Sequence, residues 1–184
     1  MVMANTEGSG VRLKPKAVVF DVDGVMTTTS FFYSEAGKVL KEFSVDDHDA
    51  LLLLRPRVEI QFITGDRKGW PITHRRIATD MKFPLELVST VKRVDWIASK
   101  WPLDSVIYMG DGIFDSWVFQ KVAYSICPSD ACEPAKARAS FVTRSPGGKR
   151  AVAEACLHIL EKFFEPYNPD ILPSQFHGSG EWSL

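Results

Sequence analysis

The run Val18-Val19-Phe20-Asp21-Val22-Asp23-Gly24-Val25 closes an apolar stretch with two aspartates one residue apart and a glycine directly behind them. Buried parallel strands read as continuous apolar runs, and ligands of open α/β sheets sit beyond the carboxyl ends of such strands. Two carboxylates at strand spacing face the same side of the chain. Like charges that close are costly unless a cation or a shared proton compensates. The pattern points to a divalent metal site, a catalytic acid–base pair, or both. Asp-x-Asp-Gly is also a turn sequence, since Asp and Gly favour turns. A calcium loop of the EF-hand type needs a Glu at its twelfth position; counted from Asp21 that residue is Phe32, which excludes it.

Two more apolar runs end in polar residues. The run 58–63 leads into Thr64-Gly65-Asp66-Arg67, and the run 105–109 into Gly110-Asp111-Gly112, with Asp115 four residues after Asp111. Lys92 stands near the start of a helical stretch that follows a strand. In a parallel sheet Asp21, Asp23, Thr64 and Asp111 converge on one edge. Phosphoryl transfer needs such a set, because a carboxylate nucleophile must be screened from an anionic phosphoryl group. A Mg²⁺ held by Asp21 and Asp111 would supply that screening, and Mg²⁺ keeps several waters, so few carboxylates suffice. Asp21 would attack phosphorus. Asp23 would protonate the leaving alkoxide and then activate water. Thr64 and nearby backbone N–H groups would hold phosphoryl oxygens, with Lys92 balancing charge.

The elements that must position these residues follow from short apolar runs alternating with helical patterns. Strands are expected over 17–20, 58–63, 85–88, 105–109, 123–127 and 140–143. Helices are expected over 47–54, with Asp46 or Asp47 as N-cap, and over 70–81, 91–100, 113–121, 131–137 and 148–164. Strands alternating with helices imply βαβ units, a parallel sheet and helices on both faces. The exception is a hairpin over 31–33 and 39–43 around the Gly-containing loop 34–38, set directly after the Asp-x-Asp-Gly turn. No gap between elements is long enough to hold a second domain.

The chain has 184 residues, 45% of them hydrophobic, and a net charge of −1. One domain over 11–165 is expected, with residues 1–10 as a disordered leader, lacking a secretory pattern, and 166–184 as an extended tail. The charge offers no basic field for nucleic acid, and no apolar run is long enough for a bilayer. Three cysteines, Cys127, Cys132 and Cys156, suit reduced thiols in a cytoplasmic protein rather than a disulfide framework.

Asp21-Val22-Asp23-Gly24-Val25, Ile63-Thr64-Gly65, Lys92 and Gly110-Asp111 resemble, in order, the four motifs of the haloacid dehalogenase superfamily. Over roughly 16–162 the chain also resembles the 3-deoxy-manno-octulosonate 8-phosphate phosphatases and the carboxyl-terminal domains of N-acylneuraminate cytidylyltransferases. The added residues are Tyr33-x-x-x-Gly37, Lys41-x-Phe43-x-Val45-x-Asp47 and Thr143-Arg144-x-x-Gly147-Gly148. The resemblance implies a Rossmann-like three-layer sandwich without a cap domain, Mg²⁺, and a homotetramer built around the hairpins. It implies Asp21 as nucleophile and metal ligand, Asp23 as acid/base giving the metal its backbone carbonyl, and Asp111 as metal ligand. It also marks Gly65, Asp66, Asp47 and Lys149 as substrate-binding candidates and Asp115 as possible metal support.

Several positions depart from that pattern. Gly112 replaces a second aspartate. The third-motif region is short, so Lys92 is the best match and Arg93 its rival. Asp66 stands where octulosonate phosphatases tend to have Arg, which points toward nine-carbon sugars. The reading is a phosphatase acting on the terminal phosphomonoester of an acidic eight- or nine-carbon sugar. A non-catalytic oligomerisation module related to the cytidylyltransferase domains is the alternative.

Overall fold

The computed structural model describes residues 14–171. In chain order the strands are β1 (Ala17–Asp21), β2 (Phe32–Ser34), β3 (Gly37–Leu40), β4 (Glu59–Thr64), β5 (Leu85–Leu87), β6 (Val106–Met109), β7 (Tyr124–Cys127) and β8 (Phe141–Val142). The helices are α1 (Asp46–Leu54), α2 (Trp70–His74), α3 (Arg93–Lys100), α4 (Asp115–Phe119), α5 (Glu133–Lys136) and α6 (Ala151–Phe163). Six parallel strands form the central sheet in the order β5-β4-β1-β6-β7-β8, and β2 and β3 make a separate antiparallel hairpin.

Strand β1 lies at the centre because every one of its apolar side chains has a buried destination on one face or the other. Val18 and Phe20 pack with Leu51 and Leu54 of α1 and with Val152 and Ile159 of α6. Ala17 and Val19 pack on the opposite face with Ile97 of α3, Val118 of α4 and Ala135 of α5. This is the expected three-layer arrangement without a cap. The chain builds outward from β1 to β4 and β5, then crosses back to lay β6, β7 and β8 on the other side. The reversal of strand order leaves a crevice at the carboxyl ends of β1 and β6, where such sheets bind ligands.

Element boundaries differ from expectation where turn chemistry decides. Gly37, at φ +114, starts β3 inside the expected loop, so the hairpin turn is tighter; Phe43 makes an isolated bridge with Thr27 instead of extending the strand. The helix expected over 70–81 is α2 followed by a wider turn, Arg75–Asp80. The expected helix 148–164 starts at Ala151, because Gly148 (φ +67) and Arg150 (φ +78) are left-handed. A Cβ on Gly147 would lie 2.0 Å from the Gly24 carbonyl oxygen, and one on Gly148 2.3 Å from the Thr28 nitrogen. The paired glycines let this loop press on the turn after β1. Residues 166–171 are exposed and carry no helix or strand. The expected leader and the remainder of the tail lie outside the described residues.

Asp47 corrects two expectations. It does not cap its own helix, whose N-cap is Val45, and it is fully buried, out of reach of a substrate. Its Oδ1 instead accepts the Ala153 N–H at 2.8 Å, capping α6 across the α1–α6 contact. The reason is the left-handed Arg150 backbone, which supplies no side-chain cap and leaves the first N–H groups of α6 to a partner from elsewhere. Burial, offset by the Ala153 hydrogen bond, pushes the Asp47 carboxyl up to about 6. The folded state then holds this proton more tightly than the unfolded chain, so ionising Asp47 removes stability as pH rises from about 4 to about 6. Asp47→Asn keeps the acceptor and deletes the titration. The urea midpoint of Asp47→Asn relative to the parent is expected to climb across that interval and level off above it.

Candidate active site

Asp21 is the last residue of β1 and is 5% exposed. Its Oδ1 accepts the Val22 N–H at 2.8 Å, which turns the carboxylate to the sheet's carboxyl edge. The residues after it, Val22–Met26, make one wide turn closed by the Thr27 N–H on the Val22 carbonyl. Within it Gly24 has φ +81, and a Cβ there would lie 2.1 Å from Asp111 Oδ2. The glycine that follows the two aspartates is required because a carboxylate from β6 occupies the space of its side chain.

The parallel register places Phe20 beside Met109, so Gly110 and Asp111 leave β6 next to the end of β1. Asp115 enters from the start of α4 and is saturated with donors. Its Oδ2 accepts the Asp111 and Gly112 N–H groups at 3.0 and 2.9 Å, and its Oδ1 accepts the Tyr108 hydroxyl at 2.7 Å and Arg93 at 2.5 Å. Gly110 is needed for this approach, since a Cβ would lie 2.5 Å from Asp115 Cγ. Carboxylate oxygens of Asp21, Asp111 and Asp115 lie within 4.8 Å of one another. No hydrogen bond reaches the Asp111 carboxylate from the described residues.

The cation that balances this cluster is Arg93. One guanidinium nitrogen, Nη1, donates to Asp21 Oδ2 at 2.7 Å, to Tyr108 Oη at 2.8 Å and to Asp115 Oδ1, and Arg93 is 2% exposed. The expectation for Lys92 is corrected accordingly. Lys92 is exposed in the tight turn Thr90–Lys92, and α3 begins one residue later, so its first residue is the one turned onto the sheet edge.

Thr64, fully buried at the end of β4, donates its hydroxyl to Asp23 Oδ2 at 2.9 Å and accepts the Asp66 N–H at 3.0 Å. Asp23 Oδ1 meets Lys41 Nζ at 2.5 Å. Lys41 also donates to Thr73 Oγ1 at 2.8 Å and lies 2.9 Å from Asp66 Oδ2. Lys38 reaches the same Asp66 oxygen at 2.5 Å, its ammonium 3.3 Å above the Phe31 ring. Burial alone would raise the Asp66 carboxyl, but the hydrogen bonds from Lys38 and Lys41 hold it down at about 2. Gly65 is exposed beside Thr64. Lys149 is engaged on the surface by Glu42, not by the carboxylate cluster. Sequence reasoning missed the roles of Lys38, Lys41 and Tyr108. The lysines are three residues apart on the hairpin, and Tyr108 is a hydroxyl inside an apolar strand; those were their available signals.

Negative charge exceeds positive charge at the sheet edge. Burial pushes Asp21 up to about 7, with Arg93 opposing and the Asp115 and Asp23 charges reinforcing. Burial and then the Asp21 and Asp115 charges push Asp111 up to about 8. Arg93 is raised above its ordinary value by those carboxylates against its own burial. A divalent cation fits here: hard oxygen ligands, an Asp111 carboxylate without a donor, and raised carboxyls that a bound ion would bring back down. The Asp21 and Asp111 carboxylates, with Asp115 beside them, would hold it. Both Asp115 oxygens already accept donors, so Asp21 and Asp111 are the freer of the three. Removing the guanidinium strands buried charge, so Arg93→Met is expected to lose about 3–5 kcal/mol of stability in urea unfolding.

No protein-family model matches the chain. It is 32% identical over 160 residues to the 3-deoxy-D-manno-octulosonate 8-phosphate phosphatase KdsC of Escherichia coli B, covering 84% of this chain and 81% of that one. It is 31% identical over 156 residues to the Salmonella typhi phosphatase of the same name, covering 82% and 80%. Among solved structures, the cobalt-bound deoxy-D-mannose-octulosonate 8-phosphate phosphatase of Haemophilus influenzae superposes with a TM-score of 0.72 at 26% identity, over 82% of this chain and 90% of that one. The Yersinia pestis 3-deoxy-D-manno-octulosonate 8-phosphate phosphatase gives 0.71 at 28% identity, over 83% and 84%. With relatives more than 30% identical over about four-fifths of both chains, the chain belongs to the capless 3-deoxy-D-manno-octulosonate 8-phosphate phosphatase family of the haloacid dehalogenase superfamily, whose members are phosphoric monoester hydrolases.

Proposed function

We propose that this chain is a Mg²⁺-dependent phosphatase that hydrolyses the terminal phosphomonoester of an acidic eight- or nine-carbon sugar, with 3-deoxy-octulosonate 8-phosphate as its first substrate. The observation that carries this reading is the meeting of Asp21, Asp111 and Arg93 at one sheet edge with Asp23 held beside them. The names of the curated relatives support the eight-carbon substrate. Asp66, the feature that leaned toward nine-carbon sugars, has its charge taken up by Lys38 and Lys41.

In this reading an Asp21 carboxylate oxygen attacks phosphorus and the bond from phosphorus to the sugar oxygen breaks. Asp23, carrying a proton, delivers it to that oxygen. As a carboxylate it then takes a proton from the water that attacks phosphorus and frees Asp21. Arg93 favours the ionised form of Asp21 against its burial and aims the carboxylate. Gly65, exposed beside Thr64, leaves its backbone accessible to a phosphoryl oxygen. A bound Mg²⁺ would supply charge screening between the carboxylates and the phosphoryl group. Free, largely buried thiols fit a cytoplasmic enzyme.

We also propose assembly into a homotetramer through the hairpin. Its strands carry Phe32, Tyr33, Val39 and Leu40 at 56%, 61%, 43% and 60% exposure, an apolar surface with no partner in one chain. Leu40→Glu is expected to dissociate the assembly, read by sedimentation velocity.

Phosphate release from a panel holding octulosonate 8-phosphate and N-acetylneuraminate 9-phosphate tests the catalytic reading. Turnover of octulosonate 8-phosphate is expected. It should fall to background on chelation of Mg²⁺, and by about 10³-fold or more in Asp21→Asn. Flat activity across the panel from folded, Mg²⁺-supplied protein would overturn it in favour of a non-catalytic module.

A further inference from the structure

Lys41 is a lysine whose side chain is fully buried, and it lies directly after β3, at the root of the hairpin, rather than in any of the four motif turns. Its ammonium has three N–H donors, and three acceptors surround it: Asp23 Oδ1 at 2.5 Å, Thr73 Oγ1 at 2.8 Å and Asp66 Oδ2 at 2.9 Å. Burying an ammonium costs several kcal/mol unless every donor is met, and an apolar residue of similar volume often holds a structure as well or better. The hairpin has apolar side chains in supply, and it leaves them in solvent while an ion is buried at its root. Anchoring alone does not account for that choice.

What the ion does is fix a carboxylate. Asp23 is bracketed: Thr64 donates to Oδ2 and Lys41 to Oδ1, so both oxygens have an assigned neighbour and the carboxylate plane is set. Each bracket is itself braced. Thr64 Oγ1 accepts the Asp66 N–H, and Asp66 in turn binds Lys41, Lys38 and the Gly69 N–H. The Asp23 side chain is 20% exposed, so it still opens to the crevice. We propose that Lys41 is a positioning residue for the reaction: it holds the Asp23 carboxylate on the line along which a proton passes to the leaving oxygen. This rests on the phosphatase reading above and adds to it a hairpin residue that acts only through Asp23.

The test separates positioning from general support. Phosphate esters differ in how much their leaving group needs a proton: an alkoxide does and p-nitrophenolate does not. The value of kcat/KM reports the steps up to transfer of the phosphoryl group. In Lys41→Met, kcat/KM for octulosonate 8-phosphate is expected to fall by about 30-fold or more, the order a general acid supplies, while kcat/KM for p-nitrophenyl phosphate stays within about threefold. Thr73→Val removes one acceptor of Lys41 without touching the crevice. It should give a smaller loss with the same leaving-group selectivity, which covers the case of a Lys41→Met protein that folds poorly. Equal losses on both esters, or no loss on either, would overturn the proposal. A crystal structure of Lys41→Met gives a readout independent of substrate. Asp23 is expected to rotate away from Thr64; an Asp23 carboxylate that keeps its place would overturn the proposal even if the sugar phosphate reading failed.

Discussion

One guanidinium among three carboxylates and a phenol is the interaction on which this structure depends. Parallel register alone brings Asp21 and Asp111 to adjacent strand ends, and α4 adds Asp115. Two unit charges about 4 Å apart at an effective dielectric of about 20 repel by about 4 kcal/mol, against a net folding stability of about 5–15 kcal/mol. Arg93 offsets this, and by bonding Asp21, Tyr108 and Asp115 at once it ties β1, β6, α3 and α4 at a single point. Its hydrogen bonds do not extend to the Asp111 carboxylate, which receives none from the described residues. The fold is therefore built with room for one more positive charge.

Backbone without side chains is what makes the crowding possible. Gly24 yields its Cβ space to Asp111, Gly110 yields to Asp115, and Gly147 lies against the Gly24 carbonyl. The chain after β1 is thus pinned from two sides, by the β6 turn and by the loop entering α6. That loop is in turn seated by Asp47 on the Ala153 N–H and by the Asp130 carboxylate on the Gly147 N–H. A contact some distance along the chain from the carboxylates, between α1 and α6, helps set the shape of the turn that carries Asp23.

The layers and the strand-end convergence were legible because both follow from runs and alternation: a five-residue apolar strand has only one place in a parallel sheet, and its end residue has only one edge. The hairpin's place and the lack of room for a second domain also came from the residue pattern, and resemblance added the absence of a cap and the roles of the motif residues. What sequence did not reveal depends on angles that one residue's shift reverses. Lys92 and Arg93 are adjacent basic residues at a helix start, and which one meets Asp21 is set by where the tight turn stops and α3 begins. Asp47 lay among three acidic or histidine neighbours, Asp46, His48 and Asp49, that all read as a helix start, and only the partnerless N-terminus of α6 explains its burial. Lys41 entered the sequence reading only as a motif residue of the family resemblance; its three acceptors come from three separate elements that no local pattern connects.

At Gly112 the loop lacks a second carboxylate but keeps the backbone N–H that braces it. This N–H donates to Asp115 Oδ2, and with the Asp111 N–H it occupies one oxygen while Tyr108 and Arg93 occupy the other. Asp115 is thereby a brace for the loop beside the other two carboxylates. A divalent cation at this edge would draw chiefly on the Asp21 and Asp111 carboxylates. That is the ligand style of Mg²⁺, which dehydrates reluctantly and needs few protein oxygens. The absence of a second acidic residue at this position does not remove the basis for metal binding; it limits how much further negative charge Arg93 has to offset.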